Sequence, residues 1–154
     1  MVKQKLLPMA MLITPNLPEM EALTELPLST YEEKEKAAKY LLDGGAKAIL
    51  LKGGHEEGDI KTDILFTPSA NGIQSSLFSS ESIPTRNIHG TGCTLSSAIT
   101  AYLARGHKLE EAITAAKKFI TEAIRSGADI EIGEGFGPVN HGFNPLKMQV
   151  YVNP

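Results

Sequence analysis

The chain reads as an α/β fold in which an open, mostly parallel sheet is flanked by helices. Three observations predict it. Two short apolar runs, "AMLIT" (10–14) and "AKAILLKGG" (46–54), end at Pro15 and at paired glycines, as buried parallel strands do. Two capped helical stretches lie between them, and two more helical stretches fill the second half of the chain. With 154 residues, 42% hydrophobic and 21% charged, the chain suits one globular domain over 1–154, able to bury a core.

The elements follow in order. "NLPEMEALTEL" carries Asn16 at its start, Pro18 in its first turn and acidic residues early, which is the arrangement a helix N-terminus favours. "TYEEKEKAAKYLLDGG" starts from Ser29 or Thr30 and stops at Gly44. A strand, helices and a second strand then form a right-handed crossover. After the polar turn "GGHEEGD", the stretches "IKTDILFT" and "GIQSSLFSS", joined through Pro68 to Gly72, predict an antiparallel hairpin. "TLSSAITAYLA" predicts a helix ending at Gly106. The next helix carries Leu109, Ala112, Ile113, Ala116, Ile120, Ala123 and Ile124 on one face, with Glu110 and Glu111 at its start and Arg125 near its end. The tail over 134–154 is rich in glycine and proline and reads as irregular.

Composition narrows the function. A formal net charge of −3 and sparse aromatics that do not interleave with arginine argue against a nucleic-acid partner and favour a small ligand or another protein. The single cysteine cannot form an intrachain disulfide, which fits a reducing, cytoplasmic setting. The opening "MVKQKLLPMAMLITPN" has lysines before an apolar run, but that run is short, is broken by Pro8 and lacks a small-residue cleavage site, so we expect no signal peptide. No stretch reaches the roughly 20 apolar residues a membrane helix needs, and we expect no membrane partner.

Chemistry concentrates in "IHGTGCTLSSA". A helix N-terminus leaves about four backbone N–H groups unpaired and carries roughly half a positive charge. Gly90, Thr91 and Gly92 before an apolar helix therefore make a phosphate or oxyanion cradle, or else the glycines simply turn the chain with Thr91 as the cap. Cys93 is either a small buried hydrophobe or a thiol whose pKa the helix start lowers, a shift that burial would reverse. Asn16 and Glu19, three residues apart, either complete a cap or supply the carboxylate and the water-orienting amide that a magnesium ion bridging phosphates requires. Lys52 ends the second strand, at the sheet edge where ligands gather in open α/β folds; it neutralises a phosphate or is a solvated strand end. His55, His89, His107 and His141 share no metal-ligand spacing, and none is assigned a catalytic role.

Together, "LLPMAMLITPNLPEMEAL", "KAILLKGGH", "IHGTGCTLSSAITAYLARG" and "GFGPVNH" closely resemble the hydroxymethylpyrimidine and phosphomethylpyrimidine kinases of thiamine biosynthesis, within the ribokinase-like superfamily. The resemblance runs from about Leu6 to His141. It implies a ribokinase-like sheet and ATP-dependent phosphorylation of 4-amino-5-hydroxymethyl-2-methylpyrimidine and then of its monophosphate, with Mg2+. It further implies that Cys93 approaches the substrate hydroxyl as base or positioning group, while the amides of Gly90, Thr91, Gly92 and Cys93 stabilise the transferring phosphoryl group. Asn16 and Glu19 match the family's magnesium-organising N-x-x-E element. Lys52 matches a lysine near the ATP phosphates, Thr91 lines the same site, and Lys117 matches another nucleotide-side lysine, with Lys118 as its competitor. Most ribokinase relatives carry aspartate where this chain has Cys93, which favours the pyrimidine kinases or the related pyridoxal kinases.

The family's Gly-rich N-terminal half has no counterpart in this sequence. The expectation is a C-terminal portion of the domain that assembles as a homo-oligomer or with a complementary N-terminal half. A non-catalytic nucleotide- or phosphate-binding module is the alternative. A cysteine-dependent hydrolase is disfavoured, since nothing places a histidine beside Cys93 in a recognised arrangement.

Overall fold

Local hydrogen bonding explains where the first helices begin. In the computed structural model, which describes residues 5–54 and 58–145, helix α1 (Leu17–Thr24) opens with a reciprocal cap: Glu19 N–H donates to Asn16 Oδ1 and Asn16 N–H donates to Glu19 Oε2, both at 2.8 Å. Helix α2 (Tyr31–Asp43) begins at Thr30 rather than Ser29, because the Thr30 hydroxyl accepts from the Glu33 amide at 3.2 Å. The Glu33 carboxylate in turn accepts from the amides of both Ser29 and Thr30. Each box satisfies N–H groups that the helix itself leaves unpaired.

The strands are shorter in places than their apolar runs. Strand β1 is Ile49–Leu51, all three residues buried. On one side of it, Ala46 N–H is held by the Leu41 carbonyl at the end of α2; on the other, Gly53 N–H donates to the Asp63 carboxylate at 2.9 Å. The run 10–14 forms no regular strand. It meets β1 through parallel bridges, Ile13 with Ile49 and Asn16 with Lys52, and Pro15, which has no N–H, interrupts the ladder between them. Strands β2 (Ile60–Ser69) and β3 (Gly72–Glu81) form the expected hairpin, and the sheet order is β1-β2-β3. All three regular strands pair antiparallel, so among the described residues the expected parallel character lies in isolated bridges: the two to the β1 segment, and His89 with Pro138. His55 and the rest of the turn 55–57, together with 146–154 of the expected irregular tail, lie outside the described residues.

Helix α3 (Thr91–Ala104) starts three residues earlier than its apolar pattern suggests, and α4 (Leu109–Gly127) buries the predicted face. Ala112, Ile113, Ala116, Ile120 and Ala123 are buried, and Leu109 and Ile124 are partly so.

The chain divides into two compact units, Met1–Ser82 and Ile83–Pro154. The first packs α1 and α2 on one face of the sheet around Met20, Ala38, Leu41, Ile49, Ile64 and Phe66. The second packs α3 against α4, burying Leu95 and Ile99 on α3. No helix among the described residues is long and apolar enough to cross a membrane.

Candidate functional site

In the second unit the approach to α3 is fixed before the helix begins. Asn87 is buried, and its amide nitrogen donates to the carbonyls of Gly127 at 2.7 Å and Ile130 at 2.6 Å. His89 N–H donates to the Gly137 carbonyl at 3.0 Å. Gly90 then adopts φ 85°, a left-handed conformation that favours glycine, and occupies the N-cap position. No side chain caps this helix, in contrast to α1 and α2. Thr91 is therefore not the cap; it is the first helical residue.

The helical ladder begins where Thr94 N–H meets the Gly90 carbonyl at 2.8 Å, and Thr91 N–H turns back to the Ile88 carbonyl at 3.2 Å. The amides of Gly92 and Cys93 sit ahead of that ladder at the positive end of the helix dipole, where an anion is favoured. Cys93 lies in this first turn and is exposed, which overturns the alternative of a small buried hydrophobe. A concavity of about 570 Å³ opens beside it, with Gly90, Thr94, Tyr102, Phe119 and His141 in its wall.

Lys117 is 8% exposed on α4 and is no solvated surface lysine, whereas Lys118 is exposed. Lys117 does not line the concavity.

In the first unit Asn16, Glu19 and Lys52 come together. The backbone of Lys52 bridges Asn16, and its N–H donates to the Pro15 carbonyl at 2.9 Å. Its ammonium stands 3.9 Å from Glu19 Oε2 with the side chain only 19% exposed, so Lys52 is not a freely solvated strand end. The cap reading of Asn16 and Glu19 is realised in full, and the Glu19 carboxylate stays exposed beyond it. Among the described residues no three His, Cys, Asp or Glu gather as metal ligands, and Glu19 is the exposed carboxylate at this point that could take a divalent ion. That suits magnesium on nucleotide phosphates, which takes one or two protein carboxylates and keeps several waters.

Residues 1–140 match the family described as phosphomethylpyrimidine kinase. The chain belongs to this family. Among curated members, the hydroxymethylpyrimidine/phosphomethylpyrimidine kinase of Staphylococcus aureus MSSA476 is 44% identical over 150 residues, which are 96% of this chain and 52% of that protein. The thiamine biosynthesis bifunctional protein ThiED of Geobacter sulfurreducens is 47% identical over 91% of this chain and 27% of its own length. The chain thus spans about half the length of the curated monofunctional relatives it matches.

Among solved structures, a pyridoxal kinase from Staphylococcus aureus in complex with AMP-PCP superposes with a TM-score of 0.82 at 34% identity, covering 92% of this chain and 50% of that one. A Clostridium difficile phosphomethylpyrimidine kinase gives 0.64 at 37% identity, covering 80% and 47%. The ribokinase-like α/β fold expected from the motifs is therefore the fold of this phosphomethylpyrimidine kinase family member.

Two features escaped sequence reasoning. The buried amide of Asn87 carries no pattern in the sequence, because its partners lie 40 or more residues away. The Thr94 hydroxyl lies 2.7 Å from His141 Nε2, across a separation of 47 residues. The "GFGPVNH" segment, which contributed to the family resemblance, was the available hint.

Proposed function

We propose that this chain serves ATP-dependent phosphorylation of 4-amino-5-hydroxymethyl-2-methylpyrimidine and of its monophosphate, a step of thiamine biosynthesis, in the cytoplasm. The observation that carries the reading is the start of α3, where a left-handed Gly90, no side-chain cap and an exposed Cys93 border a concavity. In the reaction, the substrate hydroxymethyl oxygen bonds to the γ-phosphorus, the bond from that phosphorus to the ADP oxygen breaks, and the hydroxyl proton passes to Cys93. The amides of Gly90, Gly92 and Cys93 face the charge on the transferring group, while the Thr91 amide, expected beside them, is held by the Ile88 carbonyl; positioning and charge stabilisation are most of what phosphoryl transfer asks of a protein.

Lys52 and Lys117 serve the nucleotide phosphates as point charges. Glu19, oriented through Asn16, is the carboxylate for magnesium, which would neutralise phosphate charge when bound. Homologous kinases solved with ADP and AMP-PCP support ATP as the donor. A homo-oligomer or a complementary N-terminal half is the proposed partner.

The test is ADP release by the 154-residue chain with MgATP and hydroxymethylpyrimidine, with Cys93→Ala as control. Substrate-dependent turnover that falls by about 100-fold or more in Cys93→Ala supports the reading, since that is the scale of a lost proton-transfer group. Nucleotide binding without turnover favours the non-catalytic nucleotide-binding module. A pyridoxal kinase-like preference is the second reading, because the pyridoxal kinases superpose better than the Clostridium difficile phosphomethylpyrimidine kinase. Faster turnover with pyridoxal than with the pyrimidine would establish it.

A further inference from the structure

We propose that His141 is a positioning residue that sets the first turn of α3, and with it Cys93, through the hydroxyl of Thr94. The inference rests on the kinase reading for its activity readout and on geometry for its content. Threonines within helices commonly return their hydroxyl to the carbonyl four residues back. Thr24, Thr100, Thr114 and Thr121 do so here, donating to Met20, Ser96, Glu110 and Lys117 at 2.8 to 2.9 Å. Thr94 stands apart. The carbonyl four back from it belongs to Gly90 and accepts its amide, while its buried hydroxyl meets the His141 imidazole at 2.7 Å.

The backbone that carries the imidazole is held in place on both sides. Asn140 N–H donates to the Ala123 carbonyl on α4 at 3.0 Å, Gly142 N–H donates to Asn140 Oδ1 at 3.1 Å, and Phe143 packs on Phe119 with ring centroids 5.4 Å apart. These contacts hold the 140–143 turn without His141, whose own side of the turn is exposed. Its hydrogen bond is therefore spent on Thr94, the residue next to Cys93, and both His141 and Thr94 line the concavity that Cys93 borders. In either imidazole tautomer the pair forms one hydrogen bond. It ties the turn that carries Cys93 to the 140–143 segment, which is itself held on α4 through Asn140.

Four variants test this: Thr94→Val, Thr94→Ser, His141→Ala and His141→Gln. Three readouts are used: kcat and KM for MgATP, the melting temperature, and the rate of iodoacetamide alkylation of Cys93, the chain's only cysteine. Thr94→Val and His141→Ala should each lower kcat about 10-fold or more with KM within about threefold, as misplacement of a reacting group does. The double variant should fall no further than the worse single one, because both remove the same contact. Thr94→Ser and His141→Gln, which keep a hydrogen-bonding group, should recover most of the rate. The alkylation rate should shift about threefold or more in the two disruptive variants and no further in their combination.

Unchanged kcat and alkylation in a folded His141→Ala overturn the proposal, as do losses that multiply in the double variant. A wild-type chain without turnover would sink the kinase reading alone. Alkylation then decides, a shared non-additive shift supporting His141 as a positioning residue and an unchanged rate refuting it.

Discussion

Asn87 has 1% of its surface exposed, and its donors are spent on carbonyls at the last residue of α4 and just past it. Its Oδ1 has no hydrogen-bond partner among the described residues and faces Gly137, where a Cβ would lie 1.9 Å from that oxygen. Glycine at 137 is thus required by close approach. Gly137→Ala must displace the Asn87 side chain and should cost about 1–3 kcal/mol from overpacking alone. Asn87→Leu removes the donors to the carbonyls of Gly127, Ala128 and Ile130, of which Gly127 keeps the Ile130 N–H and Ala128 keeps the Thr85 hydroxyl, and should cost about 1–3 kcal/mol in lost hydrogen bonding. Urea unfolding of both variants checks this, and a Gly137→Ala protein of wild-type stability would refute the close packing.

At this same scale, Cys93 and its glycines were legible in the sequence because their meaning lies in adjacent residues. The burial of Lys117 was not, since the sequence of α4 places both Lys117 and Lys118 without saying which one the fold covers.

Helices were read with most success where their determinants are local. The α4 face was complete in the spacing, and the structure buries it. Ile113, fully buried there, should cost about 2–5 kcal/mol when changed to Ala. Thr30→Ala removes the acceptor of the Glu33 amide and should destabilise by about 1 kcal/mol, whereas Thr30→Ser should change little. Thermal unfolding of the pair separates the cap from a general sensitivity of the site. The early start of α3 was illegible from apolar spacing, because Thr91, Gly92 and Cys93 enter the helix through backbone geometry at Gly90 and contribute nothing to a hydrophobic stripe. The runs 10–14 and 46–54 were read too long for the converse reason: apolar runs mark burial, and the β1 ladder stops where Asp63 and the end of α2 claim the flanking amides, whereas the hairpin strands extend slightly past their expected ends.

On the scale of the whole molecule, each unit exposes large apolar side chains, among them Met9 and Met11 in the first and Ile132 and Phe136 in the second. Among the described residues, β3 is hydrogen-bonded on one edge only. Exposed apolar surface and open strand edges both promote association, and a net charge of −3 opposes it weakly. We expect the chain to associate in solution, and a monodisperse monomer by light scattering across a range of concentrations would count against this.

The sequence by itself determined that the four helices exist, the caps that open α1 and α2, the hairpin and the glycine-cysteine motif that places the chain in its family, because each depends on residues within a few positions of one another. Only the tertiary structure decided that Cys93 is exposed, that Lys52 stands beside Glu19, that Lys117 is covered, and that Thr94 is held by His141. Those facts depend on which distant groups a folded backbone brings within hydrogen-bond reach, and no local pattern of residues encodes that distance.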